Sequence, residues 1–472
     1  MNSRRANPPP GQPAPLTTST MHALPDTPGF RRRQLLLGLG AASALGALPV
    51  ARAWAQAAPQ GAGQAGSGRL VVVFLRGAYD GLSALVPYTD ADYYALRPNI
   101  AIATPDGSAQ TALKLDPVFA LHPALAPLLR FWQQGVLAFV PAAGLPAPNR
   151  SHFDAQYQME IAQSGKTSAA PGWLNQLSAL DRTTQAIGVG EANPAILAGA
   201  AKVRLIPRGQ AAARTGVLAN EQTRQALLDL YAGNDRLGQA FRQGAGSRMQ
   251  SAQELNSERT AAEGRQDMAN RDALRRLDQD GTPADMQARN AQMLAASNGA
   301  ADAIGLQLDA QHLGTLMRND RKLRIGFLSA GGWDTHANQG NATGQLSNNL
   351  GNLARAVVQL RQDFADTGDV VVVLSEFGRT VAENGSRGTD HGFGNAMWIM
   401  GNGILGGRWH GRWSGLARGN LNESRDLPAH HDYRAVLAQL LRATFALPDS
   451  DLAQVLPGAS WDSRLDTLIR RT

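Results

Sequence analysis

The chain has 472 residues, 43% of them hydrophobic, enough to bury a large core in one big domain or two ordinary ones. It contains no cysteine, which excludes disulfides, thiolate metal sites and a cysteine nucleophile. Residues 1–57 hold six arginines against one aspartate and so carry +5 of the formal +7, leaving the remainder near +2. No basic run interleaved with aromatics remains, so nucleic-acid binding is not expected.

Residues 1–30 are rich in Pro, Ser and Thr and read as a disordered lead. Arg31, Arg32 and Arg33 then precede an apolar run, Leu35–Val50, and the small-residue stretch Ala53-Trp54-Ala55. This is the layout of a cleavable signal, and the paired arginines before Gln34-Leu35-Leu36 look like a twin-arginine export signal. The apolar run has 16 residues, four of them Gly or Pro, which is short for a membrane span. The expectation is a signal peptide over 1–57, cut near Ala55 or Ala57, and a periplasmic or secreted product with no membrane span in the mature chain. Small residues over 58–68 read as a linker, and 69–472 as the folded domain.

Within that domain, "RLVVVFL" (69–75), "VLAFVPA" (136–142), "LRIGFLSA" (323–330) and "VVVVLSEF" (370–377) are continuous apolar runs, the pattern of strands covered on both faces. "AMWIMG" (396–401) is a weaker instance. Helical patterns lie between them at 122–135 and 344–368, and another follows Asp432. Strands alternating with helices predict an α/β fold, a mostly parallel sheet between helix layers. From about 216 to 311 the chain turns rich in Ala, Gln, Arg, Asp and Glu with helical spacing, which predicts a helical insertion.

In such sheets ligands sit beyond the carboxyl ends of the strands. The first run opens into Arg76 and Asp80, and the second into Asn149, Arg150 and Ser151. The third opens into "GGWDTH", with Asp334 and His336 two positions apart, so both leave one face if the backbone stays extended. The fourth opens into Glu376 and Arg379, followed by Asp390 and His391. Asp80, Asp334, Glu376 and Asp390 together bring up to four negative charges, which one or two divalent cations neutralise without proton uptake. Mixed carboxylate and imidazole ligands suit zinc, manganese or iron better than calcium. The alternative is a carboxylate–arginine network using Arg76, Arg150, Arg379 and Arg387. Ser151 precedes a helical pattern and is either an N-cap or a nucleophile activated by the metal, with Arg150 placed to hold an anion. His152 is a candidate base behind Ser151. His122 reads as a cap, His410 as part of a pocket rim, and His430 and His431 as surface or capping groups.

In this order, "LVVVFLRGAYDGL", "NRSHFDAQ", "GGWDTH", "VVVLSEFGRT" and "GTDHGFGNAMWIMG" resemble the domain-of-unknown-function 1501 (DUF1501) family of exported bacterial proteins, from about Arg69 to Leu468. That family is similar to the alkaline phosphatase and sulfatase superfamily, whose members hold two metals at the strand ends of an α/β sheet. The resemblance implies that Asp80 is the first-strand metal aspartate and Ser151 the nucleophile. It also implies that Asp334, His336 and His391 are metal ligands, with Glu376 where an Asp-His pair normally stands. Ser375-Glu376 therefore lacks a histidine ligand, Asp334-x-His336 is shorter than the usual Asp-x-x-x-His, and no sulfatase signature surrounds Ser151. The functional expectation is a metal-dependent hydrolase or transferase acting on a small anionic substrate, a phosphate or sulfate ester, with Arg150 and Arg379 stabilising charge. Its rival is a non-catalytic periplasmic binding or assembly protein that keeps the fold.

Overall fold

The run that opens the domain folds as β1, Leu70–Leu75, with every residue buried. Because strand side chains alternate, Val71, Val73 and Leu75 enter one core cluster while Leu70, Val72 and Phe74 enter another. Burial on both sides is why the run carries no polar residue. Each such side chain contributes about 1.5–3 kcal/mol, so a charge at Val72 would break the sheet at its centre. The structure is a computed structural model that describes residues 66–165, 170–257 and 283–470. The expected signal peptide and the linker up to residue 65 lie outside the described residues, as do 258–282 of the expected insertion.

The other strands of the main sheet are β2 (Leu137–Gly144), β3 (Gln185–Val189), β4 (Val203–Ile206), β5 (Leu323–Ala330), β6 (Val370–Ser375), β7 (Asn395–Met400), β8 (Arg408–Trp409) and β9 (His431–Asp432). They form a nine-stranded sheet in the order β8-β2-β7-β6-β1-β5-β3-β4, with β9 also paired to β2. Within this sheet every strand but β7 runs in one direction, and β7 is antiparallel to both its neighbours, β2 and β6. The fold is therefore α/β with a mixed, mostly parallel sheet. The reversal of β7 matters for the site, because it carries the residues before Asn395 to the edge where the other strands end. β3 and β4 have no counterpart in the sequence reading. They are short and lie at the sheet's far side, and Gly188 interrupts the apolar run in β3.

One face of the sheet is covered by helices α1 (Ala126–Gln133), α7 (Leu306–Asn319) and α8 (Gln345–Asp363), through Leu128, Trp132, Leu313, Leu316, Leu353 and Leu360. The other is covered by α2 (His152–Ile161), α3 (Trp173–Leu180) and α9 (Tyr433–Phe445). Asp432 caps α9 by accepting the Arg434 N–H, as its position predicts. The insertion holds α4 (Glu221–Leu230), α5 (Arg236–Ser257) and α6 (Pro283–Ser297). α7, which starts within the stretch expected as the insertion, is buried against the sheet. His431, expected as a surface or capping group, is fully buried and pairs with Asp462. No helix among the described residues is long and apolar enough to cross a membrane.

Candidate metal centre

Four segments deliver the site, each from the same sheet edge. After β1 the chain turns at Gly77, which has φ of 110° and whose N–H donates to Glu376 Oε1 at 2.8 Å. A Cβ there would lie 2.9 Å from the Asp334 backbone nitrogen, so the turn requires glycine. After β2, Asn149 Oδ1 accepts the Ser151 N–H and Ser151 Oγ accepts the Asp154 N–H at 3.4 Å, which starts α2 with His152 as its first residue. After β5, Gly331 and Gly332 lead to Trp333, whose indole N–H returns to the Ala330 carbonyl, and then to Asp334 and His336. Before β7, His391 is bridged to Arg379, the residue four beyond the end of β6.

His152, His336 and His391 present their Nε2 atoms to Asp334 Oδ1 at 3.4, 2.9 and 3.3 Å. The His391 Nε2 is also 2.9 Å from the Nε2 of His152 and 2.9 Å from that of His336. The opposite nitrogen of each ring faces an oxygen that can only accept. His152 Nδ1 meets Glu376 at 2.7 Å, His336 Nδ1 meets Asp390 at 3.1 Å, and His391 Nδ1 meets the Arg150 carbonyl at 2.8 Å. With a cation at the centre, each Nδ1 would carry the hydrogen and each neutral ring would turn its Nε2 lone pair inward; without one, an Nε2 proton is donated to Asp334 Oδ1 instead. Four lone pairs meeting at one point repel unless a cation or a shared proton lies among them.

The spacing fits a metal ion. Bonds of about 2.0–2.1 Å in tetrahedral array place ligand atoms about 3.3 Å apart, close to the separations found here. The second Asp334 oxygen, Oδ2, is buried and accepts no hydrogen bond. The outer partners, a carboxylate or carbonyl on each ring's far nitrogen, are those that fix metal-binding histidines in one orientation. His152, Asp334 and His391 form the one group of metal-ligating side chains found among the described residues, with His336 against its edge.

Electrostatics match the geometry. Burial disfavours a charged Asp334, yet hydrogen bonds from the three histidines and the nearby Arg379 charge hold its carboxyl far below the usual range. Burial likewise disfavours charge on His152, but hydrogen bonds to Asp334 and Glu376 lift it to about 9. Glu376 is fully buried, and it stays ionised because His152 and Gln156 hydrogen-bond to it and outweigh the desolvation. Without a cation, a proton held by His152 relieves part of the crowding of lone pairs.

Of the residues read from the sequence, Asp334, His336 and His391 converge. Glu376 and Asp390, expected as ligands, each hold a histidine in place instead: Glu376 accepts from His152, Gln156, Gly77 and Ser375, and Asp390 from His336 and Asn384. Asp80, also expected as a ligand, is taken up by Arg97, at 2.6 and 3.1 Å, with Ser83 and Gln339 completing its shell. Arg379 does not face outward to a substrate. It is buried, donating to Asp334 and to the carbonyls of Gly77, Ala78, Trp333 and Thr389. The Arg150 side chain pairs with Glu423 and Asp426. Ser151 is an exposed N-cap adjacent to the cluster in sequence. The inward role of His152 escaped the sequence reading, although its place at the same strand end as Ser151 was a usable signal. Arg425, which donates to the His391 carbonyl at 3.0 Å, carried none.

An α/β sheet with a histidine–aspartate cluster at its strand ends defines the class of protein. The family described as "Protein of unknown function (DUF1501)" matches residues 67–456, and the chain belongs to it. Among solved structures, the chain is similar to the alkaline phosphatase from the Antarctic bacterium TAB5, at 12% identity and a TM-score of 0.32, over 73% of this chain and 95% of that one. Among curated proteins no match is found.

Proposed function

We propose that this protein is an exported, metal-dependent hydrolase of phosphate or sulfate esters. The observation that carries the reading is the convergence of three histidine Nε2 atoms on Asp334 Oδ1 at the carboxyl edge of the sheet. His152, His336, His391 and Asp334 would hold the ion, and a nitrogen-rich set of this kind suits zinc, manganese or iron rather than calcium. When bound, such an ion polarises an ester oxygen as a Lewis acid.

Ser151 supplies the nucleophilic oxygen. It is exposed, stands next to His152, and its capping hydrogen bond is long at 3.4 Å, so freeing it costs little. The N-terminus of α2 then faces the charge that develops on the substrate, which backbone N–H groups stabilise. Arg150 is engaged with Glu423 and Asp426; Arg425, partly exposed beside His391 and paired more loosely with Asp426 at 3.3 Å, shares the anion-holding role. The twin-arginine signal read over residues 1–57 accounts for export of a protein already folded around its ion.

The structural duties of Arg150 and Ser151 favour a second reading, a periplasmic binding or assembly protein that keeps the metal and does not turn over. Hydrolysis of p-nitrophenyl phosphate and p-nitrophenyl sulfate by protein loaded with zinc, manganese or iron separates the two. The hydrolase reading expects turnover that is lost in both Ser151→Ala and Asp334→Ala, with metal retained in the first. Absence of turnover with every ion leaves the binding reading.

A further inference from the structure

Resting on that metal-dependent reading, we infer that the centre holds a single ion, ligated by His336 as well as by His152, His391 and Asp334, and has no place for a second. The cluster consists of two triangles, His152–His391–Asp334 and His336–His391–Asp334, that share an edge. Both need His391 Nε2. That nitrogen has one lone pair to give, because Nδ1 carries the hydrogen donated to the Arg150 carbonyl. A neutral imidazole with one nitrogen so occupied cannot bridge two ions, so the two triangles serve one ion between them.

A second ion would need further carboxylates; Asp390, half exposed, is already engaged by His336 and Asn384, and the other nearby acids are neutralised or hydrogen-bonded inside the protein. Asp80 lies against Arg97, with both side chains essentially inaccessible. Glu160 and Glu191 close on Arg76 at 2.8 and 2.7 Å. Glu376 Oε1 accepts from a backbone N–H, an amide and an imidazole, and its Oε2 accepts from Ser375. Arg379, buried against Asp334 Oδ1 at 2.5 Å, places a fixed positive charge on that side of the carboxylate. Three internal guanidinium groups thus stand where additional cations would be required to balance the acids of this edge.

The test is cobalt titration of the metal-free, folded protein, followed by the d–d absorption of bound Co2+ and by elemental analysis of the protein after desalting. Saturation at one equivalent is expected, with a spectrum of intensity typical of four-coordinate nitrogen and oxygen ligation. His336→Gln and His152→Gln should each alter that spectrum and weaken cobalt binding by more than roughly 100-fold, beyond the loss usual for an outer partner. Saturation at two equivalents would overturn the single-ion inference and leave the metal-dependent reading standing. An unchanged spectrum and affinity in His336→Gln would remove His336 from the ligand set. No cobalt binding by the parent protein, whose fold is checked by circular dichroism, would overturn both.

Discussion

Two aspartates, Asp80 and Asp334, leave the same sheet edge from strands paired to each other, and both are buried and ionised. Their surroundings differ in one respect. Asp80 receives a guanidinium directly, with two hydrogen bonds from Arg97, a hydroxyl and an amide, so both of its oxygens are satisfied. Asp334 receives Arg379 on one oxygen only; the same oxygen faces three imidazoles, and Oδ2 has no hydrogen bond at all. A buried carboxylate closed by arginine is a structural staple, whereas one left partly open among converging imidazoles has the surroundings that a ligand needs. The type of residue is the same, and its neighbours decide its task.

The comparison is tested most strongly by exchanging the two losses. Asp334→Ala should abolish tight metal binding, measured by elemental analysis after desalting, because it removes the one anionic ligand. Asp80→Asn should leave metal content unchanged and lower unfolding stability by about 3–5 kcal/mol, measured by urea denaturation, because Arg97 would stay buried without its partner. If Asp80→Asn loses the ion while keeping its stability, the roles assigned to the two acids are reversed.

A smaller effect is expected one layer out. Glu376→Gln should weaken metal affinity about 10–100-fold, the usual cost of losing the acceptor behind a ligating histidine. Asp390→Asn should cost less, because the Asp390 side chain is 50% exposed and solvent can replace it behind His336. Competition with a chelator of known affinity measures both. Equal losses in the two variants would show that burial of the outer acceptor is not what sets its contribution.

Much of the site was legible because strand ends are legible. The apolar runs that became β1, β2, β5 and β6 fixed which polar residues follow them, and Asp334, His336 and His391 were found that way. The arginine that takes up Asp80, expected as a metal ligand, is not legible, because Arg97 sits 17 positions along, just past a short helix and with no motif of its own. Glu376 and Asp390 lie on the expected edge, each behind a histidine ring; sequence does not separate a carboxylate that faces an ion from one that faces the ring behind it. The helix start at Ser151 is legible, but sequence does not give the direction of the first side chain, so the inward turn of His152 is not readable beside its expected role as a base for Ser151. The antiparallel course of β7 was also invisible, since an apolar run has no direction, yet it is what brings His391 to the others.

A third buried acid gives the comparison an intermediate case and the smallest effect. Asp309 in α7 has neither a close arginine nor an imidazole cluster. It accepts the Gly209 N–H at 2.6 Å, and Arg208 stands off at 3.6 Å. Burial, only partly offset by that hydrogen bond and charge, lifts its carboxyl from 3.8 to about 6. A carboxyl whose folded value lies above its unfolded one contributes stability that is complete below about pH 4 and is lost as pH rises through 6, because the unfolded chain ionises first. Asp309→Asn removes that ionisation and keeps an oxygen to accept from Gly209. The variant should therefore match the parent near pH 4 and exceed it by roughly 1–3 kcal/mol at pH 7.5, with most of the gain appearing between pH 4 and 6. Urea unfolding of parent and variant across that range reads the difference directly. A constant offset at all pH values would mean that Asp309 is as well compensated as Asp80, and that a single backbone N–H with a distant guanidinium suffices to hold a buried carboxylate.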